Sequence, residues 1–179
     1  MKGTNPIEIR KRELDTLEGS RISWDEAFMA QALIARLRTT CIKRGVGANL
    51  VKGRRSIASG YNGAPRGVPH CTQETCTRLD KHSLEESADC RGVHAEINCL
   101  IQAALYGVPC GESSIYVTRF PCMSCTKALI NAEIVEIIYL EESDMDNSIK
   151  MAMLQDAGVI IRQIELTPFL AQVISVTNE

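Results

Sequence analysis

The cysteines and histidines of this sequence are concentrated in one stretch of the chain. Of 179 residues, eight are Cys and three are His, and all of these except one Cys lie within residues 70–125. The first residues are charged and lack the apolar core of a secretory signal, so we expect a cytoplasmic protein without disulfides. In that setting, clustered thiols and imidazoles indicate metal binding. The stretch must therefore fold around one or more ions.

The overall composition is that of one ordinary globular domain. Hydrophobic residues make up 45% and charged residues 23% of the chain, with a net charge of −2. Without an excess of basic residues, polymeric nucleic acid is an unlikely partner, whereas a single nucleotide is not excluded. No apolar run approaches the length of a membrane span. We divide the chain into a polar leader (1–22), one domain (23–166) and a tail (167–179).

Hydrophobic periodicity predicts an α/β fold. A hairpin is followed by alternating helices and strands, which gives a mixed sheet, parallel in its second half, with helices on both faces. Ser23 and Glu26 form the capping-box pattern that begins the first helix. Helices are predicted at 24–39, 94–106, 122–132 and 147–157, with a short one beyond 167. Strands are predicted at 46–51, 56–61, 114–118, 134–140 and 158–162.

Four residues predict a catalytic zinc site. His94, Cys122 and Cys125 provide the three ligands of a catalytic zinc, whose fourth position is left for water. Cys122 and Cys125 are three residues apart at a helix start, so both can face one ion. His94 and Glu96 cannot both face it from the middle of a regular helix, so His94 must lie before the first turn. H-x-E with P-C-x-x-C is the signature of zinc nucleobase deaminases, in which the glutamate transfers protons.

A second group of ligands lies in the segment 62–93, which contains many Gly, Pro and charged residues. Three Cys and one His form a closed structural zinc set, which would order a segment of this length. Its candidates are His70, Cys71, Cys76 and Cys90. The fourth ligand stays open between His70, His82, water and a remote group. The alternative is a set of unpaired thiols in a loop, and Cys41, Cys99 and Cys110 are interpreted as small packing residues.

Several motifs resemble the deoxycytidylate (dCMP) deaminase family of the cytidine-deaminase-like superfamily. They extend over residues 22–164 and are WDEAFM (24–29), VGA (46–48), GYNGAPRG (60–67), PHC (69–71), HAEIN (94–98) and YVTRFPC (116–122). HAE with PCxxC is shared by many deaminases, whereas GYNGxPxG resembles dCMP deaminases in particular. The PHC motif with Cys76 and Cys90 resembles the branch that holds an extra zinc. The resemblance implies a three-layer α/β/α fold with a five-stranded mixed sheet.

The resemblance also implies substrate contacts and regulation. Asn62 would contact the sugar and Ala95 the substrate, although Asn62 also suits a simple turn. Arg119 and Arg66 are candidates for the 5′-phosphate or, alternatively, solvated surface charges. Some relatives are hexamers that dCTP activates and dTTP inhibits, so a homo-oligomer with these effectors is implied, with Mg²⁺ as an accompanying option. Asn49 and Cys99 depart from the family pattern, and Asn49 bears on the shape of the pocket.

The leading hypothesis is hydrolysis of dCMP to dUMP and ammonia, which supplies dUMP for thymidylate synthesis. One alternative is deamination of another cytosine or adenine nucleoside or base, including a base in transfer RNA. Another is a non-catalytic protein that uses zinc to stabilise an interaction module. Glu96 favours the enzyme, because a purely structural Cys/His site has no need of a neighbouring acid.

Overall fold

The computed structural model describes residues 22–78, 90–143 and 147–175. Its strands are β1 (Gly47–Lys52), β2 (Arg55–Tyr61), β3 (Ser114–Arg119), β4 (Glu136–Glu141) and β5 (Ile160–Gln163). Its helices are α1 (Trp24–Arg36), α2 (Ala95–Leu105), α3 (Met123–Asn131), α4 (Ser148–Asp156) and α5 (Pro168–Ser175). The predicted elements are all present, including the short helix near the C-terminal end. None of the helices within these ranges is long and apolar enough to cross a membrane.

The five strands form one mixed sheet in the order β2-β1-β3-β4-β5. β1 pairs antiparallel with both β2 and β3, and β3, β4 and β5 are parallel to one another. The parallel half is connected by α3 and α4, as parallel strands require helical crossovers. The predicted mixed sheet, parallel in its second half, is thus confirmed.

Helices cover both faces of the sheet. On one face, α1 packs across β1, β2 and β3 and also contacts α5. A small core forms there around Phe28, Met29 and Tyr116. On the other face, α2, α3 and α4 contribute Cys99, Leu129 and Leu154 to a larger core. The three-layer α/β/α arrangement is therefore confirmed, and the metal-ligand helices α2 and α3 share one layer.

Local sequence explains how α1 begins and ends. Ser23 accepts a hydrogen bond from the Glu26 amide, and the Glu26 carboxylate accepts one from the Ser23 amide, so the predicted capping box is present. α1 ends at Arg36, three residues earlier than predicted. The amides of the following three residues bond to carbonyls three positions back, which tightens the last turn out of the α-helical pattern.

Strand β4 starts two residues later than its apolar run predicts. Ile134 is buried, but its amide donates to the Leu129 carbonyl of α3, so Ile134 belongs to the turn that closes this helix. The apolar run therefore includes both a helix-closing contact and the first part of a strand, and periodicity alone does not separate them.

Asn49 lies on the α1 side of the sheet rather than on the α2 side. It is fully buried, and its side-chain amide donates to the Phe28 carbonyl and to Ser56 Oγ. The expectation that Asn49 shapes the substrate pocket is wrong for this reason. The residue instead links α1 to the hairpin.

Candidate metal centre and active site

His94 occupies the position that the sequence argument required. It is the N-cap of α2, with φ −75° and ψ 154°, and is therefore extended rather than helical. This backbone conformation removes the conflict between His94 and Glu96, because only Glu96 follows the helical period. His94 can turn its ring away from the helix axis and towards the start of α3.

The start of α3 supplies two thiols to the same point. Cys122 is the N-cap of α3, and its Sγ accepts a hydrogen bond from the Cys125 amide at 3.5 Å. His94 Nδ1 lies 3.3 Å from Cys122 Sγ and 3.4 Å from Cys125 Sγ. The positive end of the helix dipole also favours negative charge at this point.

The three ligand atoms fit a tetrahedral zinc ion. Bonds of about 2.3 Å to sulfur and about 2.0 Å to nitrogen give a tetrahedron whose S···N edges are about 3.5 Å. The two observed S···N distances, 3.3 and 3.4 Å, are close to that edge. Within residues 22–78, 90–143 and 147–175, these three form the only group of three or more His, Cys, Asp or Glu side chains whose ligand atoms all lie within 4.8 Å of one another. The fourth corner is then available to a water molecule.

Glu96 is the candidate acid of the site. It lies in the first turn of α2 and is 4% exposed. Burial raises the pKa of its carboxyl above the ordinary value, while a hydrogen bond from its own amide and the nearby His94 oppose this rise. A carboxyl whose pKa is shifted towards neutrality suits a group that takes and returns protons.

Residues 22–141 match the sequence model of a protein family, the cytidine and deoxycytidylate deaminase zinc-binding region. The chain belongs to this family. Its fold resembles that of the dCMP deaminase from cyanophage S-TIM5 in its apo form, with a TM-score of 0.65 and 25% identity. That alignment covers 81% of this chain and 100% of the phage chain.

Curated relatives align with most of this chain. ComE operon protein 2 of Bacillus subtilis is 40% identical over 82% of this chain and 74% of its own length. The deoxycytidylate deaminase of Mycobacterium phage D29 is 37% identical over 69% of this chain and 99% of its own length. The deoxycytidylate deaminase of Schizosaccharomyces pombe is 38% identical over 87% of this chain. The chain spans about half of the yeast protein, 48% of its length.

The GYNG motif of this deaminase domain packs tightly around the active-site helix. A Cβ atom on Gly60 would lie 2.3 Å from the Ala95 carbonyl oxygen, and one on Gly63 would lie 2.1 Å from Thr40 Oγ1. Gly60 therefore allows a close approach of β2 to the backbone of α2 that a side chain would block, whereas Gly63 leaves room for the Thr40 side chain. The motif brings β2 against the helix that carries Glu96.

Asn62 has structural partners in the loop before β1. Its Oδ1 accepts hydrogen bonds from the Val46 amide at 2.7 Å and from Thr39 Oγ1 at 2.8 Å. Its Nδ2 donates to the Arg44 carbonyl at 2.8 Å. A carboxamide carries two N–H donors, so one remains for a ligand beyond the bond to Arg44. The carboxamide therefore fixes the loop whether or not a substrate binds.

The other predicted substrate residues differ in their surroundings. Ala95 is fully buried at the start of α2, and its amide belongs to the first turn, which has no acceptor within the helix. Arg119 is mostly buried and lies 3.6 Å from a carboxylate oxygen of Glu141. Arg66 is exposed in the Gly/Pro loop.

The structure does not gather the second predicted ligand set as closely as the first. All four candidates are among the described residues: His70, Cys71, Cys76 and Cys90. No three of their ligand atoms lie within 4.8 Å of one another, as the ligand atoms of the first set do. His82 lies outside the described residues. The four thus remain a predicted set.

Cys41 joins this neighbourhood, although the sequence argument placed it among the packing residues. It belongs to the stretch 37–42, which lines a surface pocket together with His70 and Cys71. Burial raises the pKa of the Cys71 thiol, and nearby Cys76, Cys41 and Cys90 raise it further by charge repulsion. Cys41 stands 30 residues before Cys71, so ligand spacing alone does not reveal it.

Proposed function

We propose that this protein is a zinc-dependent deaminase that hydrolyses dCMP to dUMP and ammonia, supplying dUMP for thymidylate synthesis. The observation that carries the proposal is the buried carboxyl of Glu96 beside the His94, Cys122 and Cys125 triangle. A structural zinc site has a fourth protein ligand and no use for such an acid. The family membership and the dCMP deaminases among the relatives support the same substrate.

The chain supplies both metal ligands and proton transfer. Zn²⁺ at the three ligands would act as a Lewis acid that lowers the pKa of a water towards neutrality. Glu96 accepts one proton from the attacking water and delivers it to ring N3. It then takes the second proton from the hydroxyl now bound to C4 and passes it to the leaving amine. Water thus adds at C4, the bond between C4 and the exocyclic amine nitrogen breaks, and ammonia leaves. Burial keeps Glu96 away from bulk water, so a proton on its carboxyl would not be lost to solvent between these steps.

Four residues are proposed to bind the nucleotide. The Ala95 amide lies in the helix turn that carries Glu96, and it would donate to the pyrimidine. The remaining N–H of Asn62 would reach the sugar. Arg66 is exposed and free to move towards a 5′-phosphate, whereas Arg119 would have to share its guanidinium with Glu141.

A second, structural zinc is proposed in the segment after β2. Cys71, Cys76 and Cys90 would be three of its ligands, and Cys41 becomes a candidate for the fourth beside His70 and His82. The shared pocket of Cys41 and Cys71 supports this addition, as does the closeness of Cys41, Cys76 and Cys90 to the Cys71 thiol. Four thiolates are a closed zinc set, and closure by metal would order a segment without regular structure.

The resemblance also suggests that nucleotides regulate the enzyme and that its subunits assemble into an oligomer. We infer a cytoplasmic homo-oligomer, a hexamer in some relatives, with dCTP and dTTP as effectors and Mg²⁺ as a companion of the bound effector. Leu105 and Tyr106 are 73% and 76% exposed at the end of α2, and a subunit interface would cover such apolar side chains. Light scattering with and without each nucleotide tests this part.

The substrate is tested by measuring ammonia release from dCMP, dCTP, cytidine and cytosine. Turnover of dCMP with little or no turnover of the others is the expected result. Turnover of another compound without dCMP would overturn the substrate while keeping the chemistry. A protein that binds zinc but releases ammonia from none of them would instead indicate a non-catalytic module.

The second zinc is tested by metal counting on matched variants. Cys41→Ser and Cys110→Ser each remove one partly buried thiol, but only Cys41 lies in the shared pocket. We expect Cys41→Ser to lower zinc occupancy or affinity at one site per chain and Cys110→Ser to change neither. Equal zinc content and affinity in both variants would remove Cys41 from the ligand set.

A further inference from the structure

Lys150 is a buried lysine at the base of the metal centre. It lies on α4 and is 2% exposed, although lysine is among the residues least often buried. Its Nζ donates to the Pro121 carbonyl at 3.1 Å and reaches Ser143 Oγ at 3.5 Å. It also lies 5.1 Å from the centre of the Phe120 ring. The side chain thus contacts the two residues that immediately precede the ligand Cys122.

The Pro121 carbonyl needs a donor, and Lys150 provides one. Pro121 is almost completely buried, and a buried carbonyl without a hydrogen bond is costly. Because the peptide bond is planar, a partner that holds the carbonyl oxygen of Pro121 also sets the orientation of the Cys122 amide. Cys122 has an extended conformation, φ −73° and ψ 170°, so the helical dihedrals of α3 do not set the orientation of this peptide.

The Phe120 ring holds the same segment from the sheet side. Its centre lies 4.9 Å from that of Tyr139 in an edge-on contact, and the Phe120 amide donates to the Glu141 carbonyl of β4. An ammonium near an aromatic face adds a favourable electrostatic contact. Lys150 therefore connects α4 to the segment that joins β3 to α3.

We propose that Lys150 is a positioning residue for the catalytic zinc, acting through the Pro121 carbonyl to hold Cys122 in its ligand geometry. The inference rests on the zinc centre of the proposed function but not on the identity of the substrate. It concerns the metal affinity and ligand geometry of this chain, so it can fail while the deaminase activity stands. On α4, Lys150 shares its face with buried Leu154, and a sequence reading gives no sign that a lysine there serves a metal site.

The test compares Lys150→Met with Lys127→Met in the full chain. Met keeps an unbranched stem but has no donor, and Lys127 is an exposed lysine on α3 that serves as the control. Zinc affinity is measured by competition with a chelator, and the ligand geometry is read from the absorption spectrum of the Co²⁺-substituted protein. We expect Lys150→Met to weaken zinc binding about 10- to 100-fold at the His94 site, as loss of a ligand-supporting contact does.

The spectrum and affinity separate positioning from a merely structural role. A lysine that only stabilises the fold would lower the melting temperature of Lys150→Met while leaving zinc affinity and the Co²⁺ spectrum unchanged, and that result overturns the proposal. If Lys150→Met does not fold, Lys150→Gln is used instead. Its amide nitrogen ends one bond short of the Lys150 Nζ position, beyond hydrogen-bond distance of the Pro121 carbonyl, so a loss of about threefold or more is expected. Parental affinity and spectrum in the folded Gln variant would equally overturn it.

Discussion

The two groups of cysteines in this protein differ in what supports them. His94, Cys122 and Cys125 lie at the starts of α2 and α3, which pack on the sheet beside buried strands. The Cys71–Cys90 region lies in a segment whose described residues contain only turns and a bridge between Gly63 and Val93. The first group therefore lies on regular elements of the fold, whereas the second lies on irregular chain. Ligands on regular elements can be preformed, while ligands on loops need the metal itself to fix them.

The largest expected effect comes from removing one thiol of each group. Cys125→Ser should remove the catalytic zinc and lower kcat/KM to below about a thousandth of the parental value, because the Lewis acid is lost. Cys76→Ser should remove the other zinc while leaving activity within about threefold, with faster hydrogen exchange in residues 62–78. Zinc content and exchange rates are measured on both. Equal loss of activity in the two variants would contradict the division of roles.

Glu96→Gln tests whether the first centre is an active site rather than a second structural site. The amide cannot transfer protons, so kcat should fall about 10²- to 10⁴-fold with zinc content unchanged. Glu165→Gln, an exposed acid after β5, is the matched control and should behave as the parent. Zinc lost from the Glu96 variant would instead make the carboxylate a ligand.

Two glycine substitutions measure how rigid each region is. Gly60→Ala places a Cβ 2.3 Å from a backbone oxygen of α2, whereas Gly92→Ala meets nothing closer than 3.5 Å, at Cys90 Sγ. Gly60→Ala should lower the free energy of unfolding by about 3 kcal/mol, because a backbone atom cannot move aside cheaply. Gly92→Ala should change it by less than about 0.5 kcal/mol. Urea unfolding measures both, and similar losses would mean that the second region is equally tight.

The smallest expected effect concerns the hydrogen bonds of the Glu26 carboxylate, which lies on the face of the sheet away from the proposed metal site. The Glu26 carboxylate accepts hydrogen bonds from the Ser23 and Thr167 amides, and such bonds lower its pKa to about 2. Because the folded pKa lies below the ordinary 4.5, the stabilisation is complete above that pH and disappears as the pH falls towards 2. Glu26→Gln should therefore cost about 2 kcal/mol at pH 6.

Urea unfolding of parent and Glu26→Gln between pH 6 and pH 2 checks this sign. The difference between the two proteins should shrink steadily below about pH 4.5, and any loss of zinc in acid affects both alike. A difference that stayed constant with pH would show that the carboxylate charge is not what holds the N-terminal and C-terminal segments together.

Much of the architecture could be predicted because it depends on local patterns. The Ser23 and Glu26 capping box, the alternation of strands with helices, and the paired thiols of Cys122 and Cys125 all act within a few residues. The requirement that His94 precede the helix followed from the helical period alone. The boundaries of α1 and β4 were less predictable, because tightening turns and helix-closing contacts leave no periodic signal.

By itself, the sequence determined the fold class and singled out three candidate zinc ligands with a candidate acid beside them, because residue type and spacing along a helix fix which side chains can meet. Only the tertiary structure decided which distant groups join them. It placed Cys41 beside Cys71, Lys150 under the Pro121 carbonyl, and Asn49 on the opposite face of the sheet. Contacts between residues far apart in the chain depend on how the layers pack, and packing is a property of the whole fold rather than of any local pattern.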